Sequence, residues 1–229
     1  PIAAGQHVHS HNLEFSSFAR DYAPTTGTHP TEFVAAPATF MGIRRADGRV
    51  ATRNYIGILT SVNCSATVAR AIADRFRRDV HPEALATYPN VDGVIALTHG
   101  AGCATDSAGE PLQVLRRTLG GYAKHANFAS ILVVGLGCET NQISGLMEQE
   151  SLSTGTQFHA FNIQETGGTA KTVAHVVELV QWLLEEANRV RREPVSAAHI
   201  TVGLQCGGSD GYSGISANPA LGAAVDRLV

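Results

Sequence analysis

The chain has 229 residues, with 17 basic and 20 acidic side chains, a formal charge of −3, an ordinary apolar fraction and few aromatics. That balance excludes a polyanion-binding surface or a disordered acidic tail, so nucleic acid is not an expected partner, and the length suffices to bury a real core. No apolar run approaches the roughly 20 residues that span a bilayer, and no basic-then-apolar leader opens the chain, so a cytoplasmic location without a membrane partner is expected.

Residues 1–40 are rich in Pro, Thr and His, with breakers at Pro24, Pro30 and Pro37, and read as the tail of a preceding domain followed by a linker. From Arg53 onward the pattern changes. Five short apolar runs, at 55–59, 94–97, 131–136, 158–163 and 200–204, have the length and β-branched content of buried strands. Ser65 stands as a candidate N-cap before Val68, Ile72 and Phe76, which share one helical face. A second helix is predicted over 111–122, entered at Pro111 and closed near Gly120 and Gly121. The longest, over about 169–191, carries Val173, Val177, Val180, Leu184 and Ala187 as its apolar stripe, with basic residues at its C-terminal end to complement the helix dipole. Strand alternating with helix implies parallel strands joined by right-handed crossovers. The expected class is therefore α/β, a Rossmann-like, mainly parallel sheet with flanking helices. The helix-like run at 219–229 has no closing signal, and both chain ends read as cuts.

In such a sheet, ligands bind beyond the carboxyl ends of the strands. Each predicted strand runs straight into a polar, glycine-containing segment. In order these carry Asn63 and Cys64, His99 and Cys103, Cys138 through Gln142, Gly167 through Thr169, and Cys206 through Asp210. The four cysteines, Cys64, Cys103, Cys138 and Cys206, form no CxxC pair, which excludes the usual zinc-ribbon and thioredoxin patterns. A single cysteine at a strand end is most often a small buried hydrophobe. Four on one edge are a constellation of soft donors which, with His99, Glu139 and Asp210, suits a divalent metal such as iron. His7, His9 and His11 alternate, so a strand would place them on one face, as metal ligands or as a solvated surface. Two other motifs are weak. Thr140 stands where a dinucleotide fingerprint after Gly135-Leu136-Gly137 needs its third glycine, and Ala170 breaks a Walker loop before Lys171.

Taken in order, Gly48 through Tyr55, Val62-Asn63-Cys64-Ser65, His99-Gly100-Ala101-Gly102-Cys103, Gly135 through Glu139 with Asn141-Gln142, Thr166-Gly167-Gly168-Thr169, and Cys206 through Asp210 with Ala217-Asn218-Pro219 resemble the altronate and galactarate dehydratases. The resemblance covers nearly the whole chain, departing at Ala104, where a further glycine is expected. It implies that residues 1–40 are the end of a small SAF-type domain plus linker and that 41–229 are the α/β dehydratase domain. The family's C-terminal part would follow, so the chain alone should be inactive. It further implies a sugar acid as small-molecule substrate, a 2-keto-3-deoxy acid as product, and a divalent metal as cofactor, ferrous iron foremost and manganese as alternative.

On this reading His99, Glu139, Asp210 and Lys171 are candidates for general acid and base. Arg53, Asn63, Asn141, Gln142, Gly167, Gly168, Thr169 and Ser209 are candidates for holding substrate. Cys64, Cys103, Cys138, Cys206, His9 and His11 are candidates for metal ligation. A homo-oligomer is open. A lyase expelling sulfite from a sulfolactate-like acid, or a non-catalytic ligand-binding Rossmann-like module, are the competing functions.

Overall fold

A computed structural model of the protein describes residues 3, 6, 12, 32, 33, 35–208 and 210–229. They fall into two compact units, one spanning Ala35–Cys206 and the other holding Pro1–Val34 and Gly207–Val229.

The first unit is built on four parallel strands, β3 (Tyr55–Thr60), β4 (Gly93–Leu97), β5 (Phe128–Gly135) and β6 (Phe158–Asn162). Their order across the sheet is β4-β3-β5-β6. These are four of the five predicted runs, with their ends shifted by one to three residues. The two central strands are apolar on both faces because both faces are covered. Even-numbered Leu132 and Val134 of β5 face one core with Ile56 and Ile58, while Ile131 and Val133 face the other with Leu59. Helix α1 (Ala66–Asp74) and helix α5 (Thr169–Ala187) cover the first face. Helix α2 (Glu110–Ala123) and the short α3 (Ile143–Gln149) cover the second, and a single turn, α4 (Ile163–Thr166), precedes α5. The α/β class is thus as expected, with helices on both faces of a parallel sheet.

A smaller antiparallel sheet was not read from the sequence. It comprises β1 (Thr39–Arg44), β2 (Val50–Ala51) and β7 (Glu193–Ser196), in the order β2-β1-β7. It joins the amino-terminal edge of the large sheet through part-buried polar ties. Arg45 donates from Nε to the Ala126 carbonyl at 2.8 Å and from Nη2 to Asn54 Oδ1 at 3.0 Å. Asn54, wholly buried, donates from Nδ2 to the carbonyls of Asn90 and Ala187, both at 2.8 Å. Arg192 pairs with Asp92 at 3.0 Å.

Three expectations need correction. Residues 200–204 form no strand: after the turn Ala197–His199 they carry no regular structure, and Ile200, Val202 and Leu204 are exposed. Alternating apolar residues supply one face, but a strand also needs a neighbouring backbone to pair with. The buried stripe of α5 runs through Val176, Val180, Leu183, Leu184 and Ala187, with Val173 and Val177 at its half-buried margin. Helix α5 also ends before its expected basic cap, no Lys or Arg occupying its last turn. Among the described residues, no helix is long and apolar enough to cross a membrane.

In the second unit, Asp210 Oδ1 accepts from the backbone N–H groups of Tyr212 and Ser213 at 2.8 and 2.9 Å, shaping the turn before helix α6 (Ala217–Leu228).

Candidate functional site at the switch point

The chain leaves β3 through α1 to reach β4 on one side, and reaches β5 on the other side through α2. The strand order reverses between β3 and β5, so the loops at their carboxyl ends part and leave a crevice. Three loops meet there: 61–65 after β3, 98–103 after β4 and 136–142 after β5.

Backbone hydrogen bonds run between the loops more than within them. Asn63 N–H donates to the Ala101 carbonyl at 2.9 Å, Thr140 N–H to the Cys103 carbonyl at 3.3 Å and Asn141 N–H to the Gly102 carbonyl at 3.2 Å. Gly102 has φ +97°, and a Cβ there would lie 2.5 Å from the Ser61 carbonyl oxygen, so only glycine lets the two backbones approach this closely. Gly137, at φ +123°, turns the third loop just before Cys138.

Glu139 ties the crevice together. It is 3% exposed, and its carboxylate accepts from Ser61 Oγ at 2.6 Å, Leu136 N–H at 3.1 Å and Gly137 N–H at 2.5 Å. Burial by itself raises its pKa, but the Ser61 hydroxyl and the N–H groups of Glu139, Gly137 and Leu136 outweigh it and hold the carboxyl below the usual glutamate value. Asn141, also buried, donates from Nδ2 to the Ser61 carbonyl at 2.8 Å and accepts from Arg116 Nε at 3.0 Å. Gln142 donates to the Glu139 carbonyl at 2.6 Å. His99 has Nε2 2.8 Å from the Thr60 carbonyl, while Nδ1 accepts from Ala101 N–H at 3.2 Å. This assigns the ring proton to Nε2 and commits both nitrogens to the loops.

The thiols of Cys64, Cys103 and Cys138 are free and exposed on these loops. Partial desolvation by the surrounding loops, then the neighbouring Cys103 and Cys138 thiols and the Glu139 carboxylate, push the Cys64 thiol above its usual value, and its Sγ donates to Asn63 Oδ1 at 3.7 Å. Gln164 donates to the Cys138 sulfur at 3.5 Å, linking the β6–α4 junction to the same edge. Beyond it come Gly167, Gly168 and Thr169, and the stem of Lys171 lies over Gly167, its Cδ 3.0 Å from where a Cβ would stand. Lys171 is exposed and makes no hydrogen bond or ion pair among the described residues. Also among the described residues, no three His, Cys, Asp or Glu side chains stand as ligands around a single ion.

The structure therefore brings Asn63, Cys64, His99, Cys103, Cys138, Glu139, Asn141, Gln142, Gly167, Gly168, Thr169 and Lys171 to one edge of the sheet. Arg53 is separated from them. It precedes β3 at the opposite edge, across six residues of strand, roughly 20 Å, and donates from Nη1 to the Thr52 carbonyl. Cys206, also exposed, follows the unpaired 200–205 segment and ends no strand. Asp210 belongs to the second unit. His9, His11 and Ser209 lie outside the described residues. Sequence reasoning missed Ser61, Arg116 and Gln164. Ser61 was within reach, since it opens the polar segment after β3, but Arg116 and Gln164 gain their roles only from folding.

A family model described as D-galactarate dehydratase/altronate hydrolase, second domain, matches residues 42–188, and one described as D-galactarate/altronate dehydratase, C-terminal, matches 197–229. Similar proteins include an altronate dehydratase of Escherichia coli, 33% identical over 100% of this chain and 44% of the relative, and a galactarate dehydratase (L-threo-forming) of the same organism, 37% identical over 83% and 37%. The beta subunit of a (2R)-sulfolactate sulfo-lyase from Chromohalobacter salexigens is 30% identical over 83% of this chain and 43% of the relative. The chain thus spans less than half the length of each of these relatives. With the longer family model covering more than half of its residues, the chain belongs to the galactarate dehydratase/altronate hydrolase family.

Proposed function

We propose that the protein containing this chain is a sugar-acid dehydratase that eliminates water from an aldonate or aldarate to give a 2-keto-3-deoxy acid. The observation that carries this reading is the crevice between β3 and β5, where family membership and a cluster of reactive polar groups coincide.

Elimination needs a base for the proton α to the carboxylate, an acid for the departing β-hydroxyl, and stabilisation of the enediolate that forms between them. A divalent metal would meet the free thiols of Cys64, Cys103 and Cys138 on this edge, though the described residues alone form no three-ligand group for it. It would supply Lewis-acid polarisation of the carboxylate and α-hydroxyl. The chain's own residues divide the remaining work. Glu139, ionised and saturated with donors, holds the loops in register. Lys171 has an uncommitted ammonium, and we assign it the proton transfer at the hydroxyl. The amide of Asn63 and the N–H groups of the Gly167–Thr169 turn at the start of α5 suit substrate hydroxyls and carboxylate.

The test is an anaerobic panel of aldonates and aldarates, supplied with ferrous iron and the full-length protein and read out as 2-keto-3-deoxy acid. Turnover of one or more is expected, falling at least 100-fold in Lys171→Met. No product from any member, with the protein folded, overturns the reading. A sulfo-lyase is the second possibility, favoured by the sulfolactate relative; sulfite release from sulfolactate in the same panel would select it.

A further inference from the structure

We propose that a cavity at the amino-terminal edge of the large sheet, beneath the last turns of α5, is a second binding site, shaped for a small organic monocarboxylate with a planar apolar body. It is independent of the dehydratase reading. Ser130, in its lining, stands five strand residues from Gly135 at the crevice end of β5, roughly 17 Å away.

The sequence leaves the space. Strand β5 opens with the small residues Ala129 and Ser130, and alternation places Ser130 on the α5 side with Leu132 and Val134. Helix α5 ends above them on Ala187, another small residue, while Trp182 and Glu186, one helical turn apart, share the face over the cavity. A volume of about 390 Å³ remains, lined by Arg45, Ser130, Gln157, Trp182, Glu186 and Val190.

Two of its donors have no partner. Arg45 donates from Nε to the Ala126 carbonyl and from Nη2 to Asn54, and among the described residues its Nη1 makes no hydrogen bond and no carboxylate pairs with it. Asp47, the acid nearest to it in sequence, is bound by Arg49. Burial lowers the pKa of this guanidinium and Asp47 only partly offsets that, so an anion in the cavity would supply a missing counter-charge. Ser130 is 5% exposed and its hydroxyl makes no hydrogen bond among the described residues. Since no side-chain polar atom sealed from solvent lacks a partner among those residues, that hydroxyl opens on the cavity.

The guanidinium arm and the hydroxyl match the two oxygens of one carboxylate. Trp182, 47% exposed, offers an indole face, and Val190 an apolar wall, to a flat hydrocarbon body. Glu186, held by Arg189 at 3.0 Å, repels a second negative charge, which selects a monoanion over a phosphate or a dicarboxylate.

The experiment titrates the full-length protein by isothermal calorimetry with phenylacetate, its neutral amide and phenylphosphonate. One phenylacetate per chain is expected, with a Kd of about 1 mM or tighter. The amide should bind at least about tenfold more weakly, and phenylphosphonate no more tightly than the acid. Arg45→Met should abolish binding, but Arg45 also holds Asn54, so two further variants carry the test, each checked by circular dichroism. Ser130→Ala should weaken phenylacetate by about threefold to tenfold and Trp182→Ala by about tenfold. Lys171→Met, at the crevice, should leave the affinity unchanged. No saturable binding, an amide as tight as the acid, a phosphonate that is tighter, or an affinity unmoved by both Ser130→Ala and Trp182→Ala overturns the assignment. Loss of binding in Lys171→Met would put the acid in the crevice and overturn it as well. None of these results alters the outcome of the sugar-acid panel, so the two readings fail separately.

Discussion

Replacing Asn54 by alanine should unfold the amino-terminal edge of the sheet first. Its side chain is fully buried and makes three hydrogen bonds: Nδ2 to the carbonyls of Asn90 and Ala187, and Oδ1 from Arg45. Together these pin the start of β3 to the loop before β4, to the last turn of α5 and to the segment after β1. Asn54→Ala removes all three bonds and strands two carbonyls away from water. At about 1–3 kcal/mol for each group left unsatisfied, the loss is about 3 kcal/mol, a large part of a domain's total stability. With a urea slope of about 2 kcal/mol per molar, the midpoint should fall by about 1.5 M at unchanged slope. Asn54→Asp is the sharper probe. It keeps the shape but turns an oxygen toward the two carbonyls, and should cost at least as much. A midpoint shift below about 0.3 M for alanine, or an aspartate variant as stable as the wild type, would refute the reasoning.

Glu139→Gln should destabilise the protein near neutral pH by about 2–3 kcal/mol, since charge-assisted bonds from Ser61, Leu136 and Gly137 are weakened. The folded pKa of Glu139 is depressed, so its contribution is present above the unfolded glutamate value and is lost as pH falls through the folded one. Urea midpoints of wild type and variant should therefore converge in acid; a constant gap from pH 7 to pH 3 would contradict this. Gly102→Ala combines a positive φ with a Cβ 2.5 Å from a backbone oxygen, and should cost more than about 2 kcal/mol by thermal melting while increasing the rate at which Cys64 and Cys103 react with a thiol reagent. An alanine variant with unchanged melting and thiol rates would show that the loops yield freely.

The four parallel strands were legible because strands covered on both faces must be apolar at successive positions, as Ile56, Ile58 and Leu59 are. The antiparallel sheet was not. Strand β2 has two residues, β7 is mostly exposed, and β1 pairs with a segment about 150 residues away, so neither periodicity nor local turn chemistry marks them. Residues 200–204 show the opposite failure, an apolar alternation that pairs with no strand among the described residues. The thiol edge was readable since parallel topology alone sends every strand-to-helix loop to the same side. Arg53 lies within a motif block in sequence yet stands at the far end of β3, because the six residues of that strand lie between it and Ser61. Arg116 reaches Asn141 from α2 with no local signal to announce it.

The stitching of one loop to the next also governs how the crevice breathes. The amide protons of Asn63, Thr140 and Asn141 are held by carbonyls on another loop, so fraying within any single loop cannot release its own proton alone. Exchange with solvent then requires the loops to part from one another, an opening that also disturbs the bond between Ser61 and Glu139. These protons would exchange as one cooperative unit, slower than those of the exposed helix α6, and the protection they share is a measure of how long the floor of the crevice stays closed between openings.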